Sequence, residues 1–448
     1  MTRKKIPAGV LFAAAMSLLA VGEMSPPMGW SSWNTFRLTV DEGIIKSSAV
    51  TMAQTGLKAA GYEFILIDDG WTHCDALQPP PHDTACAKPG PRDPNGNLQV
   101  NRTKFPSGFK SLTDYVHSLG LKIGIYTSVS AVTCGGFTGS LNHEEIDAKW
   151  FASMGFDLVK HDTCGSDCSI HTGCMQNATQ QMGSTLRAEG AVLGREIIYY
   201  LDHGNPINPQ LMYNPHNRYV EDTECLVKLA TKPEELVWLW TKAPWGPHVF
   251  KSWFDRHDSW MSMLSNVHNQ IRVAEWHSCG HFHTPDMPTC GQGNLSISEC
   301  RAEFALYTIL GAPLILGCDI RNQPPAVMDI FTNREMLEVL RDPDCVQGSL
   351  ADNIQGAAEV WTRPLSDGTF AAVLLNKGTS AQNVSLHFGH NSWNYLNSFY
   401  PAEFNVAEIR NIFSMRSEGT FTYHFTALVP PHDALLLRLT PTSEMALI

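Results

Sequence analysis

Short apolar runs alternate with longer amphipathic stretches through the first three-quarters of this 448-residue chain. The amphipathic stretches lie near residues 43–60, 111–119, 143–154 and 298–310. Strands that alternate with helices in this way are typical of parallel βα units. The predicted strands are Glu63–Asp68, Lys122–Tyr126, Asp157–His161, Glu196–Leu201 and Leu314–Ile320.

Polar side chains come at the ends of the predicted strands. They are Asp68, Asp69, Tyr126, Asp162, Asp202 and Asp319. In a (β/α)8 barrel, the carboxyl ends of the strands carry the chemistry. A doubly wound sheet is the competing arrangement, but no glycine-rich phosphate-binding sequence follows the first predicted strand. The sequence therefore favours a (β/α)8 TIM barrel.

The hydrophobic pattern of the sequence changes after about Asn333. Short alternating runs, separated by Gly, Asn, Ser or Pro, follow one another to the end. This pattern predicts an antiparallel β-sandwich of roughly 100 residues. We therefore expect a signal peptide at 1–22, a catalytic barrel at 23–335 and a β-sandwich at 336–448.

The first 22 residues have the pattern of a secretory signal. Arg3, Lys4 and Lys5 precede an apolar run over 9–20, and Ala20-Val21-Gly22 offers the small residues of a cleavage site. A buried first helix is the alternative. No other run reaches the roughly 18 apolar residues of a membrane span. We expect secretion, or delivery to a lysosome or vacuole, and no membrane span in the mature protein.

The charge and the cysteine content of the chain limit the kinds of partner and cofactor that we expect. The net charge is −12, which argues against nucleic acid as the main partner. The 12 cysteines suit disulfides in an oxidising compartment. Cys164, Cys168, Cys174, His161 and His171 do not form a convincing zinc motif, so we expect no metal and no cofactor. Four glycosylation sequons occur, at Asn101, Asn177, Asn294 and Asn383.

Carboxylates at strand ends suit glycoside cleavage. A retaining glycosidase needs one carboxylate to attack the sugar and a second to protonate the leaving oxygen. Aromatic side chains near the strand ends would suit the apolar face of a sugar. Trp30, Trp33, Trp71 and Tyr126 are the candidates, and each has packing in the core as its alternative.

Several literal strings are more specific than these patterns. They are PPMGWSSWNTF at 26–36, LIDDGW at 66–71, NLQVNRTKFPSG at 97–108, LKIGIYTSVSAVTC at 121–134, DLVKHDTC at 157–164, PDM at 285–287 and APLILGCDIR at 312–321. Together they closely resemble glycoside hydrolase family 27, the family of α-galactosidases and α-N-acetylgalactosaminidases. The resemblance extends over most of residues 25–440, including the predicted sandwich.

The resemblance implies roles for individual residues. Asp162 in VKHDTC matches the nucleophile, and Cys134 with Cys164 matches a disulfide that braces its strand. The substrate would be a galactose-containing oligosaccharide or glycoconjugate. The residues implied to bind it are Trp33, Asp68, Asp69, Tyr126, Lys160, Asp202, Lys251 and Asp286.

The acid/base residue falls in the string KSWFDRHDSW at 251–260. The resemblance places it at Asp255, where we expect burial and the neighbouring Asp162 to keep the side chain protonated. Asp258 is the rival. We favour Asp255 because Asp258 has another role open to it, as the N-cap of the helix that follows.

Some positions depart from the family pattern. Gly70 stands where a disulfide cysteine is common, and Cys74 with Cys86 are candidates for a substitute bridge. Lys251 replaces an arginine, and Asp202-His203 replaces a Glu-Trp pair. Plain galactose is favoured over N-acetylgalactosamine, since Asp202 and Asn205 are not small. A β-L-arabinopyranoside substrate, a non-catalytic galactose-binding protein and a homodimer stay open.

Overall fold

The computed structural model describes residues 24–78, 85–164, 174–202, 243–251, 253–354, 356–388 and 404–442. The predicted signal peptide at 1–22 and the substituted loop position His203 lie outside these residues. So do Asn205, Cys168 and His171.

The described residues form eighteen strands and ten α-helices. The strands are β1 (Met28–Ser31), β2 (Phe64–Ile67), β3 (Cys74–Leu77), β4 (Cys86–Pro89), β5 (Lys122–Ser128), β6 (Leu158–Asp162), β7 (Ile198–Asp202), β8 (Val249–Lys251), β9 (Phe282–Thr284), β10 (Leu314–Leu316), β11 (Ser349–Ile354), β12 (Ala358–Pro364), β13 (Phe370–Asn376), β14 (Gln382–His387), β15 (Val406–Asn411), β16 (Arg416–Thr422), β17 (His424–Val429) and β18 (Asp433–Pro441). The α-helices are α1 (Trp33–Phe36), α2 (Glu42–Gln54), α3 (Leu57–Ala60), α4 (Phe109–Ser118), α5 (Glu144–Met154), α6 (Cys174–Leu193), α7 (Trp260–Asn269), α8 (Ile297–Leu310), α9 (Pro325–Phe331) and α10 (Arg334–Leu340). Short 3-10 helices cover Arg37–Thr39, Gln270–Trp276 and Ile320–Asn322.

Eight parallel strands curl into the predicted (β/α)8 barrel. Their order is β10-β1-β2-β5-β6-β7-β8-β9, so neighbours in sequence are neighbours in space and the last strand pairs with the first. Among the described residues no ladder joins β9 to β10. The backbone N–H of Gly317 donates to the carbonyl of Pro288 at 3.0 Å, which links the two chains just beyond these strands.

The strands form where apolar residues run without interruption. All four residues of β2 are buried, as expected for a parallel strand that is covered on both faces. Helix starts are fixed by side-chain caps: Asp41 accepts from the N–H of Ile44 ahead of α2, and Ser296 and Glu299 form a capping box at α8. The barrel prediction is confirmed, although three of its strands were not predicted. These are β1, β8 and β9.

The C-terminal strands form the predicted sandwich. One sheet has the order β11-β12-β13-β18-β15-β16, and β14 pairs with β17 in a second sheet. Successive residues of β12 point to opposite faces. Val360 joins the core between the two sheets, whereas Trp361 joins the core of the barrel. The larger sheet is therefore buried on both faces at β12.

Arg363 on β12 connects the sandwich to the barrel. Its side chain is buried, and its Nη1 donates to the carbonyl of Thr308 at 2.9 Å and that of Val339 at 3.0 Å. These carbonyls belong to the last turns of α8 and α10. Helix C-terminal carbonyls lack partners within their own helix, so Arg363 satisfies groups in two helices at once.

Four disulfides are formed among the described cysteines. They are Cys74–Cys86, Cys134–Cys164, Cys279–Cys345 and Cys290–Cys300. The first is the substitute bridge considered from the sequence, and the second is the pair that the resemblance implied. Among the sequons, Asn177, Asn294 and Asn383 are exposed, while Asn101 is partly buried. No helix within the described part of the chain has the length and apolar character needed to cross a bilayer.

Candidate active site

A cavity of about 320 Å³ opens at the carboxyl ends of the barrel strands. It brings together nearly every residue that the sequence singled out for the site. Those lining it are Trp33, Asp68, Tyr126, Cys134, Lys160, Asp162, Asp202, Lys251, Asp255 and Asp286. The parallel register explains the convergence, because Tyr126 pairs with Lys160, and Asp162 with Asp202, in neighbouring strands.

Two buried lysines organise the carboxylates on one side of the cavity. Lys160 Nζ lies 3.0 Å from Asp68 and 3.1 Å from Asp202. Lys251 Nζ lies 2.9 Å from the other oxygen of Asp202 and 3.4 Å from Asp286. Asp202 therefore bridges the two ammonium groups. Burial alone would raise the pKa of Asp202, but Lys251 and Lys160 outweigh burial and hold it below its ordinary value.

Asp162, the last residue of β6, has different partners. Tyr126 donates its hydroxyl to Asp162 Oδ2 at 2.9 Å, and the N–H of Thr163 donates to Oδ1 at 2.7 Å. Neither lysine is in contact with it. Burial, and then the charge of Asp202, raise the pKa of Asp162 well above its ordinary value. Both carboxylate oxygens of Asp162 are thus held by hydrogen bonds, and the side chain lines the cavity.

Asp286 is held in a strained conformation. Its φ of 78° lies in the left-handed region, which residues other than glycine rarely adopt. The carboxylate accepts from the N–H of Arg256 and that of Met287, both at 2.8 Å, and its carbonyl accepts from Tyr307 at 2.9 Å. Burial is the main cause that raises its pKa. In this conformation the carboxylate lies 3.4 Å from Lys251 Nζ.

The two candidates for the acid/base both line the cavity, and two expectations about them were wrong. The side chain of Asp255 is 73% exposed instead of buried, and it contacts Lys251 Nζ at 2.5 Å. Asp258 does not cap the following helix, because Ser259 occupies the N-cap and accepts from the N–H of Ser262. Asp258 Oδ2 instead accepts from the backbone N–H of Asn294 at 3.0 Å.

Asp69 is the one predicted binding residue that does not line the cavity. Its carboxylate accepts from the N–H of Gly135 at 2.7 Å and from the N–H of Gly70 at 2.7 Å. Burial raises the pKa of Asp69 to about 6. The side chain holds the turn that carries Cys134, and through the disulfide to Cys164 this turn braces the end of β6.

The aromatic candidates divide between the cavity and the core. Trp33 and Tyr126 line the cavity. Trp30 is fully buried and donates to the carbonyl of Cys318 at 2.7 Å. Trp71 stacks on Trp150 at 5.9 Å between ring centroids, within the core. The packing alternative therefore holds for the last two.

The sequence reasoning missed several residues of the cavity. Their side chains are polar, and they lie in short helical turns or loops where no periodicity marks them: Asn34, Arg37, Arg256, His257 and Gln292. Arg256 is buried, and it forms an ion pair with Glu303 beneath the site. The signal that could have found it is its position next to Asp255 in the sequence. A buried arginine needs an acidic partner, and Glu303 supplies it.

A metal site is not supported at the end of β6. Cys134, Asp162 and Cys164 place potential ligand atoms within 4.8 Å of one another. The two sulfur atoms are bonded to each other, however, and a disulfide offers no thiolate to a metal. His161, from the weak zinc motif, bonds to the hydroxyl of Tyr199 at 2.9 Å, on the far side of the strand.

An acid-rich, sugar-sized cavity at the top of a parallel barrel defines a glycosidase of the (β/α)8 class, and comparisons with known proteins agree. The chain matches the alpha galactosidase A family over residues 25–214 and 242–342. Residues 355–439 match the alpha galactosidase C-terminal beta sandwich domain. The chain therefore belongs to the alpha-galactosidase A family.

Full-length relatives support this assignment. A probable alpha-galactosidase of Dictyostelium discoideum is 34% identical over 426 residues, covering 94% of each chain. An alpha-galactosidase of Coffea arabica is 32% identical, covering 95% of this chain and 96% of the relative. The crystal structure of alpha-galactosidase I from Mortierella vinacea superposes with a TM-score of 0.75 at 26% identity, covering 96% and 99% of the two chains.

Proposed function

We propose that this enzyme hydrolyses terminal α-linked galactose with retention of configuration, using Asp162 as nucleophile and Asp255 as acid/base. The observation that carries the proposal is the convergence of these two carboxylates on one cavity, with Lys251 between the second of them and Asp202. The full-length α-galactosidase relatives support the choice of sugar.

In the first step, Asp162 attacks the anomeric carbon and the leaving oxygen takes a proton from Asp255. Tyr126 and Thr163 fix the attacking carboxylate. Proton transfer leaves Asp255 as a carboxylate beside the ammonium of Lys251, which stabilises the charge that develops. In the second step, Asp255 accepts a proton from the water that releases galactose.

The sugar itself would be held by the inner carboxylates and Lys160. Asp68 and Asp202 already accept from Lys160, and each retains lone pairs for sugar hydroxyls. Asp202 lines the cavity, and its side chain is not as small as one that would leave room for an acetamido group. This favours galactose over N-acetylgalactosamine.

Hydrolysis of p-nitrophenyl α-galactoside, its α-N-acetylgalactosaminide and the β-L-arabinopyranoside tests the substrate. We expect fast release from the galactoside and little from the other two. Activity on another sugar alone would keep the chemistry and refute the substrate. Silence on all three, with galactose still bound, would indicate a binding protein.

Azide separates the roles of the carboxylates. In Asp162→Gly the small anion replaces the nucleophile and should give β-galactosyl azide. In Asp255→Ala it should intercept the glycosyl-enzyme and give the α-azide. The matched Asp258→Ala variant should give no azide product. If Asp258→Ala gives the α-azide and Asp255→Ala does not, the acid/base assignment is refuted.

We also propose that the chain enters the secretory pathway. Support comes from the signal pattern over 1–22 and from four disulfides, which persist in oxidising compartments. Expression in a eukaryotic host, with N-terminal sequencing and endoglycosidase treatment of the medium, tests this. A product that stays in the cell with Met1 intact would refute it.

A further inference from the structure

Arg37 places a cation at the mouth of the cavity. The residue is exposed, lines the cavity, and sits over the ring of Trp33 with its guanidinium carbon 5.7 Å from the ring centroid. Within the described part of the chain its side chain makes no hydrogen bond or ion pair. The mechanism proposed above does not use it.

The backbone of Arg37 is held in an unfavourable conformation. Its φ is 44° and its ψ −135°, in a region that residues other than glycine rarely adopt. A strained residue persists only when its surroundings fix it, and such residues cluster at binding sites. This observation is independent of the position of Arg37 in the cavity.

The next residue shows what fixes the conformation. Leu38 packs against two glycines: a Cβ on Gly70 would lie 3.1 Å from Leu38 Cα, and one on Gly135 would lie 2.8 Å from Leu38 Cδ2. Lys104 donates to the carbonyls of Leu38 and Gly70, at 2.5 and 2.9 Å. Gly70 is the position where cysteine is common in the family. The close packing of Leu38 against Gly70 and Gly135 thus holds the backbone that follows Arg37.

The chemistry around Arg37 indicates what it binds. Other side chains that line the cavity and are not fully buried are polar: Asn34, His257 and Gln292. Among the described residues that line the cavity, Trp33, Tyr126 and Met287 are the apolar ones, which leaves little apolar surface for an acyl chain. An anionic group would face Asp255 and Asp258, which also line the cavity. A neutral, hydroxyl-rich group suits both the guanidinium donors and the carboxylates.

We propose that Arg37 and Trp33 form a subsite for a sugar in the leaving group, so that the enzyme prefers galactosyl oligosaccharides to galactosides of lipids or phenols. This rests on the proposed function. Since the leaving group departs in the first step, the subsite acts on kcat/KM and on glycosylation. It does not act on hydrolysis of the glycosyl-enzyme, which is the same species for every galactoside.

The test compares an α1,6-linked galactosyl-glucose disaccharide with p-nitrophenyl α-galactoside. For Arg37→Ala we expect the ratio of kcat/KM, disaccharide over phenyl galactoside, to fall about tenfold, equivalent to ~1.4 kcal/mol. Arg37→Lys should recover part of the ratio. Arg334→Ala is the matched control, because Arg334 is exposed on α10 outside the cavity, and its ratio should equal that of the wild type.

Two further measurements keep the test decisive. Arg37→Gly removes the side chain and relieves the backbone strain, so it replaces Arg37→Ala if that variant folds poorly. Galactose release from the preformed glycosyl-enzyme should be unchanged in both variants. An unaltered ratio, or an equal loss on both substrates, overturns the subsite. Absence of hydrolysis by the wild-type enzyme would instead refute the proposed function.

Discussion

Replacing Tyr126 by phenylalanine tests the environment of the nucleophile. The hydroxyl donates to Asp162 Oδ2 at 2.9 Å, so it stabilises the ionised carboxylate. A hydrogen bond to a charged group contributes about 1.5–3 kcal/mol. One pKa unit corresponds to about 1.4 kcal/mol, so loss of the hydroxyl should raise the pKa of Asp162 by about one to two units.

The direction of the effect on activity follows from the role of Asp162. A nucleophile must be ionised, and burial already raises its pKa. The acid limb of the kcat/KM profile should therefore move to higher pH by about one to two units in Tyr126→Phe. Above that limb the loss should be small, because a carboxylate with fewer donors is the stronger nucleophile.

The assay is kcat/KM for p-nitrophenyl α-galactoside across the pH range in which the wild type is folded. Tyr199→Phe is the control, since Tyr199 is another buried strand tyrosine, bonded to His161 and outside the cavity. Its acid limb should coincide with that of the wild type. A folded Tyr126→Phe enzyme whose acid limb does not move would show that Asp162 is not the ionisation observed, and would refute the reasoning.

Two further predictions concern stability. The pKa of Asp69 is raised to about 6, so its charged form is less stable in the folded protein than in the unfolded chain. This group alone should make the protein more stable by about 2.4 kcal/mol as the pH falls from 7 to 4, and Asp69→Asn should remove that contribution. Urea unfolding of both proteins at the two pH values measures it, and equal pH dependence would contradict the shift. The double variant Cys134→Ser/Cys164→Ser opens a loop with a sequence separation of 30 and should lower the free energy of unfolding by about 3–4 kcal/mol. Thermal unfolding beside Cys74→Ser/Cys86→Ser, whose separation of 12 predicts a smaller loss, tests whether loop length sets the effect.

The parts of the fold that were predictable are those in which local pattern and tertiary environment agree. β2 and β13 are buried along their whole length, so their apolar runs stand out from the flanking sequence. β8 and β9 have only three residues each, among Trp, Pro and His, and carry no periodicity. They are strands because their neighbours in the barrel supply hydrogen-bond partners, which no local window contains.

In the site, too, some residues could be predicted from the local sequence and others depend on contacts with distant parts of the chain. Asp162 stands out in the sequence because it ends a predicted strand, whereas the resemblance implied Lys160. The two residues are two apart in β6, which puts them on the same face of the strand, and both line the cavity. Asp69 follows Asp68 directly, yet its carboxylate is directed away from the cavity to a turn 66 residues later. Asp258 and Ser259 are both good N-caps, and the choice between them depends on Asn294, which binds Asp258 from another loop.

Arg363 bears on whether the barrel and the β-sandwich could be exchanged independently during evolution. Arg363, on β12, donates to carbonyls at the C-terminal ends of α8 and α10. Trp361 on the same strand belongs to the barrel core. A gene fragment that ended before β11 would encode a barrel with bare helix ends and an exposed apolar face. The sandwich is therefore not an interchangeable appendage. Recombination could exchange it only together with the helices on which it rests.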